Sequence, residues 1–316
     1  MINENQLFGQ LKDLHVPEHV VTVVASIRFD KQDYSAFEGK YNDIKQDERD
    51  VENLKENFQK KLRVFNVHRR YAFELQKQKA DLFEAFILDQ AGKAGWFGSS
   101  SLFPTKENDD FLRGVDVVME YEEAREKKHM GLALDVTFDS TSRLITEKFD
   151  SLVDEVERGT LSSVKYFETE KGVGLESIPR LVIGVNEKRV TGILDLWYAQ
   201  GTKDSDVKEL NENLLKRHYV QVILLLQMKH QLAAFKELAR AYFHNHLVNK
   251  FAEALDFVDG LLDQKKDIHD TYKDKINDDE TLKVIIRKTD ELKVQIPIIR
   301  EEQLNKRADK RLGINN

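Results

Sequence analysis

Two aspartates in segments of strand character are the residues best placed to do chemistry: Asp116 in LRGVDVVMEY (112–121) and Asp135 in MGLALDVTF (130–138). Both segments are short, β-branched and aromatic, which favours strands. Side chains alternate along a strand. On the first, Val115, Val117, Met119 and Tyr121 share one face, and Gly114, Asp116 and Val118 share the other. On the second, Leu132, Leu134, Val136 and Phe138 share one face, and Gly131, Ala133, Asp135 and Thr137 the other. Each strand is therefore predicted to have a large apolar face and a smaller face carrying an aspartate. The charged stretch EEAREKKH (122–129) reads as an exposed hairpin turn, and its midpoint, 125.5, is also the midpoint of 116 and 135. A symmetric hairpin sets the two carboxylates directly opposite each other, with Cβ atoms about 5 Å apart, and Thr137 across from Gly114. Like charges there are destabilising, and aspartate suits strands poorly. The pairing thus points to a compensating cation, and oxygen ligands suit Mg²⁺. The other reading of the same residues is a solvated sheet face with the two aspartates in a different register.

Helices and further strands must position this pair. From Glu74 to Gln90, Leu75, Leu82, Phe83, Phe86, Ile87 and Leu88 mark an amphipathic helix, which the glycines and serines of AGKAGWFGSSS (91–101) end. Helical spacing returns at 141–158 through Leu144, Ile145, Phe149, Leu152, Val153 and Val156, with Ser140 or Thr141 as N-cap and Gly159 as the stop. VKYFE (164–168) and RLVIGV (180–185) read as strands, the latter apolar enough to be central. Residues 1–73 are predicted to be helical. One helix follows Pro17 through Val20, Val21, Val24 and Ile27, and a second runs from near Asp33 through Tyr34, Phe37, Tyr41, Ile44, Val51, Leu54, Phe58 and Leu62. KQDERD (45–50) reads as a solvated face or a helix break. Helical segments near 205–236, 237–264 and 280–308 complete the chain.

GVD at 114–116 and DVT at 135–137, on consecutive strands behind a helix, resemble the motif of the PD-(D/E)XK nucleases. That family has an αβββαβ core, an aspartate on the second strand and (D/E)-x-K on the third. The resemblance covers residues 74 to 186, by pattern and element order. The order of the elements itself gives an α/β fold with a mixed, α+β-type sheet, between an N-terminal helical arm (1–73) and a C-terminal helical region (201–316), and the resemblance makes the core (74–200) nuclease-like. The resemblance also implies that Asp116, Asp135 and the Val136 carbonyl hold Mg²⁺ or Mn²⁺ for phosphodiester hydrolysis in DNA or RNA. Glu84 falls where many members carry a further acidic residue. Thr137 departs from the pattern, standing in the place of the motif lysine that orients the attacking water. Some members draw a lysine from the following helix instead, and Lys148 is that candidate here, about 70° from the centre of the apolar stripe. Its plainer reading is a boundary lysine, and Glu84's is a surface glutamate. The alternative for the whole core is a catalytically silent scaffold whose helical arms bind a protein or a second copy.

Composition narrows the rest. At 316 residues the chain is long enough for two domains, and 41% hydrophobic with 33% charged residues reads as globular and helix-rich. With no cysteine, disulfides, thiolate zinc sites and cysteine nucleophiles are excluded. The first residues, MINENQLFGQLKDL, lack the basic start and apolar core of a secretory signal, and the longest apolar run is Val222 to Leu226. A soluble cytoplasmic protein that does not engage a membrane is expected. A net charge of −7 disfavours general attraction to nucleic acid, leaving any such contact to a local surface. KGVG (171–174) is read as a turn, His244 and His246 as side chains on different helix faces, and Trp96 and Trp197 as core or lid packing.

Overall fold

Pro17 opens helix α1 (Glu18–Gln32). Its carbonyl accepts from the Val20 and Val21 amides at 3.0 Å, and Val20, Val21 and Val24 are buried. A proline at a helix entrance loses no hydrogen bond, because the first amides have no partner within the helix. The computed structural model describes residues 16–123, 126–137, 143–170 and 172–312. The helix predicted from near Asp33 begins only at Ile44. Residues 35–37 form a 3-10 turn instead, and Tyr34 and Phe37 pack edge-on against Tyr166, with ring centroids 4.7 and 5.3 Å away. Burying two aromatic rings on a distant strand outweighs their local helical spacing. Helices α2 (Ile44–Arg63) and α3 (Val67–Phe86) follow, the latter capped by the Asn66 side chain, which accepts from the Arg69 amide at 2.9 Å. The boundary expected after residue 73 falls inside α3. KQDERD lies within α2, and Asp47 in it accepts from the Lys165 ammonium and the Tyr166 hydroxyl, both at 2.6 Å.

A single π-helical turn (Ile87–Ala91) ends α3, and strand β1 (Ser101–Pro104) comes after the glycine-rich turns. The segment predicted to become a strand at 112 is first a helix, α4 (Glu107–Arg113). Glu107, Asp109 and Asp110 lie in its first turn and Arg113 in its last, charges that complement the helix dipole. Gly114 ends it at φ +62°, a left-handed conformation that glycine tolerates. Strands β2 (Val117–Glu123) and β3 (Glu126–Thr137) form the hairpin. Helix α5 (Arg143–Glu157), ended by Gly159 at φ +73°, crosses over to β4 (Ser162–Thr169), β5 (Gly172–Ile178) and β6 (Arg180–Asn186). The N-cap expected at Ser140 or Thr141 lies outside the described residues. The main sheet has the order β1-β2-β3-β6, antiparallel except for the parallel pair β3/β6, while β4 and β5 form a separate two-stranded sheet. Helices α6 (Glu187–Tyr198), α7 (Ser205–Lys216), α8 (Val220–Ala241), α9 (Asn245–Gln264), α10 (Lys266–Thr271), α11 (Lys273–Asn277) and α12 (Glu280–Leu312) complete an α+β fold.

The hairpin register departs from the symmetric prediction. The ladder runs from Val117↔Leu132 to Glu123↔Glu126, so Leu132, not Leu134, lies across from Val117. Both strands extend into the charged stretch, and the ladder is centred one residue before the midpoint of the charge run. Asp116 is therefore not directly opposite Asp135. The Asp116 amide donates to the Leu132 carbonyl at 3.0 Å, and Asp135 pairs with Gly184 on β6.

The face bearing Val117, Met119, Tyr121, Met130 and Leu132 joins one continuous core that reaches Val20 on α1 and Ile285 on α12. Trp96 and Trp197 are buried in it. On the other face Val118 packs with Val115, Val164, Phe167, Leu175 and Ile178, so the β4–β5 hairpin covers that side. Strand β6, expected to be central, is at the sheet edge. Its apolar sequence is explained by α8, whose glutamines take the place of a neighbouring strand. Gln227 accepts from the Gly184 amide and donates to the Gly184 carbonyl, both at 2.9 Å. Gln231 does the same at Val182, at 3.0 and 2.7 Å. Backbone groups that an edge strand would leave unpaired are thereby satisfied without water. No helix among the described residues is long and apolar enough to cross a membrane.

Candidate functional site

Three elements meet where α4 turns into β2, and each is pinned from outside. The Asp109 carboxylate on α4, fully buried, accepts from the Lys165 and Tyr166 amides of β4 at 2.7 and 2.9 Å. The Asn108 amide donates to the Tyr34 hydroxyl at 3.0 Å. At the other end of α4, the Arg180 guanidinium donates to the carbonyls of Arg113 at 2.7 Å and Gly114 at 3.2 Å, and to Glu155 on α5 at 2.5 Å. Thr105 fixes the next residues, its amide donating to the Asp116 carbonyl at 3.2 Å and its hydroxyl to the Val115 carbonyl. Lys106, just before α4, donates to the carbonyl and carboxylate of Asp30, which ties down the last turn of α1. A seven-residue helix with almost no stability of its own is thus held at both ends, and Asp110 is left facing α1.

There the Lys31 ammonium lies 2.6 Å from Asp110 and 2.9 Å from Glu84 of α3. The side chains of Lys31, Glu84 and Asp110 are 9%, 15% and 26% exposed, and Asp116 and Lys148 are half-buried behind them. Burial, then the Asp110 and Glu84 carboxylates, push Asp116 well above the usual carboxylate range, against the pull of Lys148 and Lys31. Burial works against ionisation of Asp110 too, yet Lys31, a hydrogen bond from Asp116 and Lys148 hold it below its ordinary value. Glu84 is pushed up to about 6 by burial, with Asp110 and Asp81 adding to the effect and Lys31 opposing it. Lys31 is raised well above the ordinary lysine value: burial lowers it, but Asp110, Glu84 and Asp116 prevail. The two shifts run in opposite directions, so the proton between the paired carboxyl groups is held more firmly by Asp116 than by Asp110. Such a carboxyl pair can give and take a proton, and it presents hard oxygen atoms to a cation.

Of the residues singled out from sequence, Asp116 interacts with both Glu84 and Lys148 here, although the three come from the residue before β2, from α3 and from α5. The backbone of Asp135, Val136 and Thr137 continues β3 alongside β6; their side chains lie outside the described residues. Asp110 and Lys31 were not anticipated. Asp110 had a signal, since KENDDFLRG (106–114) carries acids at its start and Arg-Gly at its end, the charge and glycine pattern of a short helix. Lys31 had one as well, because it falls seven residues after Val24, on the buried stripe of α1.

A cavity of about 480 Å³ opens in front of this cluster, between α1, α2, α3 and α4, with Lys31, Glu84 and Asp110 in its wall. Among the described residues no three His, Asp or Glu side chains are grouped to hold a metal ion. Comparison of the chain with family models, with curated proteins and with solved structures finds no match. What the site can do follows from its own groups.

Proposed function

We propose that this chain is a nuclease-like protein of the PD-(D/E)XK type, hydrolysing phosphodiester bonds of DNA or RNA with Mg²⁺ or Mn²⁺. The interaction of Asp116 with both Glu84 and Lys148 carries the proposal. The family pattern singles out each of them, and they are far apart in sequence. The element order around them supports the same reading in outline: α3 leads into β1, β2 and β3, and α5 leads on to β6, parallel to β3, with α4 inserted between β1 and β2 and the β4–β5 hairpin inserted before β6.

Two hard oxygen donors stand side by side at Asp110 and Asp116, joined by a proton that a divalent ion would replace. Mg²⁺ keeps several waters and needs only one or two carboxylates, so these residues fit the ion. Asp116 and Asp110 would hold it, with Asp135 and the Val136 carbonyl in the roles the family pattern gives them. Bound there, the ion supplies positive charge to orient a water and neutralise the phosphate. Lys148 holds a further positive charge beside the two carboxylates, a position from which it can take the part of the lysine replaced by Thr137. The same reading makes nucleic acid the partner, the cytoplasm the location, and the helical arms the surfaces for substrate or a second copy.

One observation favours a second reading, a catalytically silent scaffold. Lys31 already neutralises Glu84 and Asp110, so the acidic cluster is satisfied without any ion. A cleavage assay on DNA and RNA in Mg²⁺ or Mn²⁺ separates the two. Metal-dependent cleavage that Asp116→Asn abolishes and Lys148→Met reduces at least a hundredfold, a typical loss for a charge-stabilising group, supports the nuclease. No cleavage together with no heat of Mn²⁺ binding in calorimetry establishes the scaffold.

A further inference from the structure

We propose that the cavity between α1, α2, α3 and α4 receives one unpaired nucleotide at a time, so that the substrate is single-stranded nucleic acid rather than intact duplex. This inference rests on the phosphodiester reading of the cluster in the cavity wall.

Size is the first argument. About 480 Å³ lies within the range of roughly 300–1,000 Å³ that takes one small ligand. It accommodates a nucleotide unit and excludes a double helix. Enzymes that act on a nucleotide inside such a pocket work on single strands or on a unit turned out of its stack.

The lining is the second. Two large aromatic rings are held out toward solvent at this cavity, Phe29 on α1 (73% exposed) and Phe111 on α4 (43% exposed). Leaving phenylalanine in water is unfavourable, and neither ring is packed into the core. An aromatic face presented at a cavity is a stacking platform that accepts any base. The Lys55 ammonium lies 5.7 Å from the Phe111 ring centroid and 2.7 Å from the Glu107 carboxylate, and the exposed Lys77 also borders the cavity. Gln32 and Gln59 add amides, each able to donate and accept toward base edges.

Position is the third. Glu84 and Asp110 form part of the cavity wall, and Asp110 interacts in turn with Asp116 and Lys148. A nucleotide stacked at the rim would place its phosphate on the side of the reacting cluster. The overall charge of −7 makes a wide electrostatic footprint unfavourable, and a recognition mode built on stacking needs fewer phosphate contacts than one built on a duplex backbone.

The test uses the full-length protein in EDTA, so that binding is read without hydrolysis. Fluorescence anisotropy compares a labelled single strand with the blunt duplex of the same sequence at one ionic strength. The single strand is expected to bind at least tenfold more tightly, with Phe29→Ala and Phe111→Ala each weakening it about tenfold, as loss of a stacking partner does. Both rings are exposed, so neither change is expected to disturb folding, and circular dichroism checks this. Equal binding of duplex and single strand, failure of both to bind, or wild-type affinity in both phenylalanine variants overturns the inference. Binding of an aromatic peptide that the same variants abolish, with no strand bound, also overturns it and assigns the cavity to a protein. The catalytic reading fails separately: it falls if Asp116→Asn cleaves like wild type, whatever the strand preference, whereas cleavage without strand preference removes only the present inference.

Discussion

The Lys31 ammonium and the Asp110 carboxylate stand 2.6 Å apart, joining the last turn of α1 to a seven-residue helix 79 positions further along the chain. This pair gathers the acidic cluster. With Lys31 in place, Glu84 and Asp110 share one cation, and burial with the neighbouring carboxylates raises Asp116.

Removing that cation exposes its structural share. Lys31→Met keeps the length of the side chain and its apolar stem but removes the ammonium that Glu84 and Asp110 share, leaving Asp110 only the attraction of Lys148. Unfolding in urea at pH 7 should show a loss of about 3 kcal/mol, the usual result of breaking one side of a buried ion pair. Adding Asp110→Asn to that variant should restore part of the loss, because one uncompensated charge is then gone. A single variant as stable as wild type would show that the pair contributes nothing net.

His218 makes stability depend on pH. Burial first, then the facing cations Arg189 and Lys275, depress its pKa from 6.5 to about 4. The ring stacks on Trp96 at 6.1 Å, and its Nδ1 accepts from the Val220 amide at 3.4 Å, which requires the neutral form there. The folded state therefore binds this proton less readily than the unfolded state. The stabilisation is complete above the unfolded pKa and is lost as pH falls from about 6.5 toward 4, amounting to about 3 kcal/mol. Urea denaturation at pH 7 and pH 4.5 measures it. In His218→Gln the difference between the two pH values should shrink by about that amount.

Gln231 completes the edge of the sheet. Gln231→Leu fills similar space but leaves the amide and carbonyl of Val182 without partners in a buried setting. A cost of about 2–4 kcal/mol is expected for two such groups. Hydrogen exchange gives an independent reading, since the Val182 amide should lose its protection while that of Gly184, still held by Gln227, keeps most of it.

Gly114 is required by conformation and by space. At φ +62° a Cβ is strained, and here it would also run into the Arg180 guanidinium that holds the end of α4. Gly114→Ala should lower stability by about 1–3 kcal/mol. Gly92 is the control, because its φ of −62° is ordinary and nothing lies within 4 Å of an added Cβ. Gly92→Ala should be neutral or slightly stabilising. Thermal denaturation of the two variants side by side tests the contrast.

Local pattern determined much of this protein. Alternation placed β2 and β3, three- and four-residue spacing placed most helices, and glycine at 159 ended α5 where expected. Asp116 was singled out by strand alternation, whereas Glu84 and Lys148 were singled out only by the family resemblance. Where local pattern misled, longer-range forces decided: Tyr34 and Phe37 left their helical spacing to bury against Tyr166, and β6 lies at an edge despite its apolar sequence because Gln227 and Gln231 replace the missing strand. The hairpin register, and with it the separation of Asp116 from a position opposite Asp135, was set by the ladder itself, which pairs Val117 with Leu132 rather than Leu134. Only the tertiary structure brought Lys31 and Asp110 to the acidic cluster and opened the cavity in front of it. Periodicity along one element fixes which face is apolar, but not which distant charge will share that face, because a buried carboxylate is stabilised by whichever cation the packing delivers.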